Sequence, residues 1–306
     1  MFIDNDWWGH KYILAKYCNV DPKPIFGSMQ HGVYSLEEEK KWKLGRSFQK
    51  IPFFCFSNFF YKKCKKEKEK NVTAIGSPFL YLDKIYTKKH KANGTLVFPA
   101  HSGFIKKKIG FIYKYYKNQI SFDHDNFINN VEKYNTPPYT VCIIQDDYEQ
   151  ISKYYKRKNW KIFSAGNRNN KLFLINIYKI ISKHKYAVFC EFTSALYYCM
   201  YLGLKVRIAV KSASSKNIEF FNNKNSVLEK EIFKSYKKKY PEILSGRLNI
   251  NLAKNIAKDR MGYNFIKSPD ELKNILGWNS IIKIFLAKII SIMYKIKYRF
   301  IISNIK

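Results

Sequence analysis

The regular alternation of apolar strands and helical segments between residues 95 and 210 constrains the fold more than any other feature. Five short apolar runs recur at the spacing of βαβ units: 95–100, 139–144, 160–165, 186–192 and 205–210. Each run is continuously apolar, which is typical of strands buried on both faces of a parallel sheet. Helical patterns over 125–134, 147–157, 171–183 and 194–202 separate them. This half of the chain is therefore predicted to be a Rossmann-like α/β domain.

A smaller α/β unit precedes this series. Its pattern comprises a helical segment at 12–18 and apolar runs at 24–29, 51–57 and 72–78. A polar stretch ending in an Asn93-Gly94 turn separates the two halves. We therefore predict two Rossmann-like parallel-sheet domains facing a cleft, at 1–92 and 93–265, followed by C-terminal helices at 266–306.

The charge balance indicates an anionic partner. The 306 residues include 56 Lys and Arg against 23 Asp and Glu, for a formal net charge of +33. Nucleic acid, anionic lipid and phosphate-bearing small molecules all fit such a charge. No recognised nucleic-acid motif occurs, so a specific nucleic-acid partner is not expected, although a basic nucleic-acid-binding protein stays an alternative from another class.

The cysteines and the N-terminus favour a cytoplasmic protein. The six cysteines are scattered without a Cys-x-x-Cys pair, as expected for reduced thiols outside a disulfide framework or zinc site. The N-terminus lacks the pattern of a signal peptide. Neither Gly-x-Gly-x-x-Gly nor a Walker A sequence occurs, which excludes the usual NAD enzymes and P-loop NTPases.

Polar or small residues follow several of the predicted strands. In an open α/β sheet the carboxyl ends of the strands form the ligand-binding edge. The candidates at these ends are Gln30, His31, Gly32, Gly76, Ser77, His101, Ser102, Glu191, Thr193 and Ser194. For His31 the alternative is an ordinary loop histidine that bonds a neighbouring backbone group.

The segment from Glu191 to Ser194 is the most informative of these. The hydroxyls of Thr193 and Ser194 precede a helix whose N-terminal amides can hold a phosphate, or they form an ordinary N-cap. Glu191 either bonds a ribose hydroxyl, acts as an acid or base, or extends the cap. In the loop 164–170, Gly166 permits close backbone approach and Asn167 can bond a base or sugar, or both belong to a solvated loop.

No metal site and no cofactor are expected. Asp146 and Asp147 resemble the Asp-x-Asp metal motif of some sugar transferases. Adjacent aspartates point apart, however, and this pair starts a helical pattern, which favours a capping role.

The tail from 278 to 306 combines apolar and basic residues and contains no acidic residue. The apolar residues are interleaved with Lys283, Lys288, Lys295, Lys297 and Arg299. As a helix it could lie on an anionic bilayer surface, or it could pack across the two domains.

Taken in order, the segments "GSMQHG", "GSPFLYL", "FPAHSG" and "CEFTSALYYCMYLGLKV" resemble the GT-B-fold glycosyltransferase-like proteins of bacterial capsule and surface-carbohydrate loci. The resemblance extends over about residues 9–210. More distantly, the chain is similar to CDP-glycerol glycerophosphotransferases and capsule polysialyltransferases. The resemblance implies that His31 is the cleft base, that Thr193 and Ser194 bind phosphate, and that His101 is the histidine of an "FPxHS" segment.

The resemblance implies a glycosyltransferase that moves a sugar from a nucleotide-sugar donor to a surface polysaccharide or lipid-linked acceptor. Residues 1–92 would be the acceptor side, and residues 93–265 the nucleotide-donor side. The tail would place the protein at the inner face of the cell membrane, as a cytoplasmic, peripheral enzyme. Transfer of glycerol phosphate or ribitol phosphate on the same fold is the alternative reaction.

Overall fold

The computed structural model describes residues 7–42, 51–69, 71–86, 92–100, 103–109, 112–118, 122–209 and 224–302. Of these, only the backbone is described at 103–118, 224–229 and 293–302.

A small parallel sheet forms the first half of the chain. Its strands β1 (Ser28–Met29), β2 (Phe53–Cys55) and β3 (Val72–Ala74) lie in the order β1-β2-β3. Four helices accompany them: α1 (His10–Tyr17), α2 (Leu36–Lys41), α3 (Asn58–Lys66) and α4 (Pro78–Ile85). Serine side chains cap α2, α3 and α4, which fixes where each helix leaves the preceding loop.

The second sheet has five parallel strands. These are β4 (Thr95–Phe98), β7 (Tyr139–Cys142), β8 (Lys161–Phe163), β9 (Tyr186–Phe189) and β10 (Lys205–Ile208); an antiparallel hairpin of β5 (Gly103–Ile109) and β6 (Ile112–Asn118) follows β4. The strand order is β10-β9-β4-β7-β8. The intervening helices are α5 (His124–Tyr134), α6 (Tyr148–Lys156), α7 (Phe173–Ile181) and α8 (Ser194–Leu202).

The remaining helices follow β10. They are α9 (Lys224–Lys239), α10 (Glu242–Ser245), α11 (Ile250–Met261), α12 (Pro269–Leu276) and α13 (Ile281–Ile302). Short 3₁₀ turns lie at Trp7–Gly9, Gln145–Asp147 and Tyr263–Phe265. The predicted α/β class, with two Rossmann-like parallel sheets and a C-terminal basic helix, is confirmed, whereas the domain limits stay predictions.

One hydrophobic core joins the two sheets. Phe54 and Ile75 from the first half belong to the same cluster of buried side chains as Leu96 and Phe189 from the second sheet. At its centre the ring of Phe79 on α4 stacks on Tyr198 of α8, with centroids 4.0 Å apart and an interplanar angle of 5°. The two sheets therefore share one continuous hydrophobic core.

The C-terminal helices return to the first sheet. Trp278 donates its Nε1 hydrogen to the carbonyl of Pro24, and the Phe26 amide bonds the Leu276 carbonyl. The turn after α11 packs tightly against the backbone that follows β2: a Cβ on Gly262 would lie 1.8 Å from the Phe56 carbonyl oxygen. Gly262 also has a φ of +71°, so glycine is required there on both counts.

A buried ion pair connects α2 with α11. The Arg260 guanidinium lies 2.7 Å from Glu39, whose side chain is fully buried and also accepts a hydrogen bond from the Ser57 hydroxyl. Burial raises the pKa of Glu39, and the Arg260 cation opposes that rise. Because Arg260 also pairs with the half-exposed Asp259 at 2.5 Å, the buried Glu39 carboxylate depends on Arg260 more than Arg260 depends on it.

We expect Arg260→Met to lower the free energy of unfolding by about 3–5 kcal/mol, because it leaves the Glu39 carboxylate buried without its cation. Arg157→Met is the matched control, since Arg157 pairs with Asp125 at 2.8 Å on the surface, where both side chains are more than half exposed. That control should cost less than about 1 kcal/mol. Urea unfolding of both variants measures the difference; equal losses would show that the buried pair has no special role.

Candidate functional site

A cavity lies at the carboxyl edge of the five-stranded sheet. It has a volume of about 250 Å³ and is lined by residues that follow β4, β7, β8 and β9. The chain builds the sheet outward from β4 to β8 and then returns to β9 on the other side of β4. The cavity therefore sits where the strand order reverses, which is the usual ligand position in doubly wound sheets.

The walls of the cavity are mainly apolar, and its polar groups gather at one end. The apolar lining includes Phe98, Ile143, Ile144, Phe173, Leu174 and Ile177. His31 and Gly32 from the first half and Thr193 and Ser194 from the start of α8 supply the polar end. An apolar slot with a few convergent polar groups suits a flat ring system carrying a charged or hydroxylated substituent.

His31 sits between two tryptophans. Its ring centroid lies 4.9 Å from Trp7 and 5.4 Å from Trp8, and Trp8 donates its Nε1 hydrogen to Nε2 of His31 at 3.3 Å. This bond requires an unprotonated Nε2, so the neutral ring carries its proton on Nδ1. In this arrangement Nε2 of His31 becomes available to a ligand only when the indole moves.

The surroundings of His31 favour the neutral ring. Although the residue keeps exposed surface, the two indoles enclose the imidazole, and this burial together with the nearby Arg168 cation lowers the pKa of His31. His10 lies behind it, buried and in edge contact with Phe56, and burial next to His31 lowers the pKa of His10 to about 3. Both imidazoles are therefore uncharged at neutral pH.

Arg168 adds a cation beside this aromatic group. Its guanidinium lies 5.3 Å from the centre of the Trp7 ring and 3.8 Å from the carboxylate of Asp146. The Arg168 carbonyl also accepts the backbone hydrogen of Trp8 at 2.7 Å. The 3₁₀ turn at Trp7–Gly9 is thus held to the loop after β8, and Trp8 adopts a left-handed φ of 60° there. Strained backbone of this kind concentrates at functional sites.

Ser194 connects the two halves of the site. Its Oγ accepts the backbone hydrogen of Val33 at 3.0 Å, and a Cβ added to Gly32 would lie 2.7 Å from the same oxygen. The Tyr198 hydroxyl bonds both Ser194 and Ser77. The Ser194 hydroxyl therefore bonds groups within the protein. The sequence predicted a phosphate contact for it and did not predict these internal bonds.

Thr193 is placed differently from its neighbour. It is the N-cap residue of α8, yet its side chain makes no capping hydrogen bond, and it lines the cavity. The amides of the first turn of α8 and the positive end of its dipole point to the same region. Of the two predicted phosphate contacts, Thr193 has the geometry that a ligand can use directly.

The loops after β8 and β9 hold three further predicted residues. Gly166 has a φ of +95°, and Asn167 accepts the amide of Asn169 through its own side chain, so both shape the loop. Glu191 is half-buried at the end of β9. None of these three residues lines the cavity as the described residues form it, although Ala165, next to Gly166, does.

Gln30, Gly76 and Ser77 lie beneath the site rather than in it. Gln30 is buried and braces the loop, accepting the Phe56 amide and donating to the Gly32 carbonyl. Ser77 caps α4, and its amide bonds the Met261 carbonyl. A Cβ on Gly76 would lie 2.8 Å from the Gly262 carbonyl oxygen. These residues position the loop that carries His31 and anchor α11.

Two predicted residues, His101 and Ser102, fall outside the described residues. Within the described part of the chain, no group of three or more His, Cys, Asp or Glu is close enough to hold a metal ion. The absence of a metal and of a cofactor from the reaction stays a prediction.

Trp7, Trp8 and Arg168 are the site residues that the sequence reasoning missed. The two tryptophans stand in the segment "DWWGHK", directly before a glycine with a φ of +75°. Consecutive tryptophans followed by glycine were the available signal. Nothing local to "GNRNN" indicates that Arg168 stacks on one of them.

Comparisons with known proteins leave the family open. No protein-family model matches the chain, and no curated protein matches it. Among solved structures, the chain is similar to the UDP-GlcNAc 2-epimerase from Neisseria meningitidis bound to UDP-GlcNAc. The identity is 9%, the match covers 75% of this chain and 70% of that chain, and the TM-score is 0.34.

We expect Ser194→Ala to lower the free energy of unfolding by about 1–3 kcal/mol, because the buried Val33 amide loses its acceptor. Thr193→Val removes the neighbouring hydroxyl without removing a capping bond, and should change stability by less than about 0.5 kcal/mol. Chemical denaturation of the pair measures both values. A larger loss for Thr193→Val would show that the two roles are reversed.

Buried His10 makes stability depend on pH in one direction. Its pKa of about 3 in the folded protein lies below the ordinary value of 6.5, so its contribution is complete above pH 6.5 and is lost as the pH falls toward 3. Between pH 7 and pH 5 the wild type should lose about 2 kcal/mol more than His10→Gln, which cannot titrate. Urea unfolding at both pH values tests this; parallel losses would contradict it.

Proposed function

We propose that the protein is a glycosyltransferase that uses a nucleotide-sugar donor and a surface polysaccharide or lipid-linked acceptor. The observation that carries the proposal is the cavity at the reversal of strand order, whose apolar walls lie in one half while His31 faces it from the other. A site built from two halves can bring a donor and a separate acceptor together.

The donor is assigned to the second half. The apolar slot lined by Ile143, Phe173 and Ile177 has room for a nucleobase or sugar ring. Its phosphates would then lie at the start of α8, where Thr193 and the helix amides meet the cavity. Charge that builds up on the leaving phosphate would be stabilised there as the glycosidic bond breaks.

The acceptor is assigned to the side of His31. A neutral imidazole can take the proton of an attacking hydroxyl, as a general base requires. In the structure, Nε2 of His31 accepts the indole hydrogen of Trp8. Binding of the acceptor substrate would therefore have to displace the indole before the imidazole could act as a base. The lowered pKa makes His31 a weak base that is available at every pH near neutrality.

A panel of CMP, CDP, UDP and GDP with their sugars tests the donor site. We expect one nucleotide class to raise the melting temperature, and Thr193→Val to weaken its binding about tenfold while the variant stays folded. Asn167→Ala is the matched control, because Asn167 is exposed and outside the cavity lining. Stabilisation by none of the nucleotides, or equal loss in both variants, would contradict this placement.

We expect His31→Ala to reduce transfer by about 100- to 10,000-fold with little change in nucleotide binding, because the ring acts on the acceptor. Mass spectrometry of the product distinguishes addition of a sugar from addition of glycerol or ribitol phosphate, since only the latter introduces a phosphodiester. If the His31→Ala variant turned over at the wild-type rate, the prediction would be wrong and His31 would be an ordinary loop histidine.

A further inference from the structure

The first half of α13 turns an apolar face to solvent. Six large side chains are exposed: Ile281 by 86%, Ile282 by 73%, Phe285 by 61%, Leu286 by 40%, Ile289 by 38% and Ile292 by 57%. At 3.6 residues per turn they occupy a single arc of about 140°. Ala287, which is 4% exposed, lies opposite and packs against the protein. The helix is thus anchored by its narrow side and leaves its broad apolar side unpaired.

Basic residues border this face. Lys283 and Lys288 are exposed; Lys288 lies about 20° outside one edge of the apolar arc and Lys283 about 60° outside the other. The whole of α13 contains five Lys and Arg and no Asp or Glu. An apolar strip flanked by cations and by no acidic residue is complementary to a surface that is apolar within and anionic at its boundary.

The neighbouring hairpin has the same charge character. The backbone of β6 lies against α13. The hairpin segment 103–118 contains five lysines and no acidic residue. Positive charge is therefore concentrated on two adjacent elements of the fold, which strengthens attraction to one extended anionic surface more than to a small ligand.

Crossing a bilayer does not fit this arrangement. No single described helix is long and apolar enough to span one; only α12 together with 281–292 passes by length and composition, as a pair bent by 56°. Leu272 and Leu276 of α12 are fully buried in the core shared by the two sheets. The helix that would complete a span is therefore held inside the protein.

We propose that the exposed face of α13 docks on an anionic lipid bilayer, lying parallel to its surface. The six apolar side chains would enter the boundary between headgroups and acyl chains, and Lys283 and Lys288 would extend to lipid phosphates. Pairing with a second copy is disfavoured, because it would bring ten cations together. The proposal does not depend on the reaction that the cavity catalyses.

Co-sedimentation of the full chain with vesicles tests the proposal. The wild type should pellet with phosphatidylcholine vesicles containing about 30% phosphatidylglycerol, and much less with phosphatidylcholine alone. Phe285→Asp should lower the partition coefficient at least tenfold, because it places a carboxylate in the apolar face. Leu252→Asp is the matched control, since Leu252 is 43% exposed on α11 and the variant carries the same added charge. It should bind as the wild type does.

A second pair of variants separates charge from apolar contact. Lys283→Gln with Lys288→Gln should weaken binding to anionic vesicles about tenfold. Lys153→Gln with Lys156→Gln, two exposed lysines on α6, should not. Circular dichroism confirms that each variant is folded. The proposal is overturned if the wild type ignores anionic vesicles, if Phe285→Asp binds normally, or if both members of a pair lose binding equally. A dimer that Phe285→Asp dissociates, without vesicle binding, would assign the face to a second copy.

Discussion

The contact between the start of α8 and the loop after β1 is the constraint on which the site depends. Ser194 holds the Val33 backbone, and one turn later Tyr198 stacks on Phe79 and bonds Ser77. Through these contacts a single helix fixes the first half against the second sheet. The same helix presents Thr193 and its amide end to the cavity, so the interface and the candidate ligand site share their supporting element.

The chemistry of the site follows from its neutral histidines and the Arg168 cation beside them. His31 and His10 are both kept uncharged by enclosure, while Arg168 is held on the Trp7 ring and beside Asp146. An uncharged, mostly apolar slot beside one guanidinium favours ligands whose charge is confined to one end. A nucleotide, with a flat base and a terminal phosphate group, has that distribution.

Sequence patterns predicted the second sheet well because its strands are continuously apolar and its helices strongly periodic. They failed between 224 and 261, where α9 and α11 carry many Lys and Asn and depend on packing against the sheets. At the site, His31 and Thr193 each follow a predicted strand. Their positions in the sequence were therefore enough to predict that they lie at the sheet edge that forms the cavity. Trp8 and Arg168 could not be found in this way, because their partnership joins segments about 160 residues apart.

The core shared by the two sheets has a consequence for how ligands enter. Opening the cleft as a hinge would separate the stacked rings of Phe79 and Tyr198 and expose the fully buried Phe79 side chain to water, at a cost of about 1.5–3 kcal/mol. Rigid-body opening of the kind common in two-domain enzymes is therefore expensive here. Entry would instead depend on small local rearrangements at the rim, above all rotation of the Trp8 indole, so the rate of substrate exchange would follow side-chain rather than domain motion.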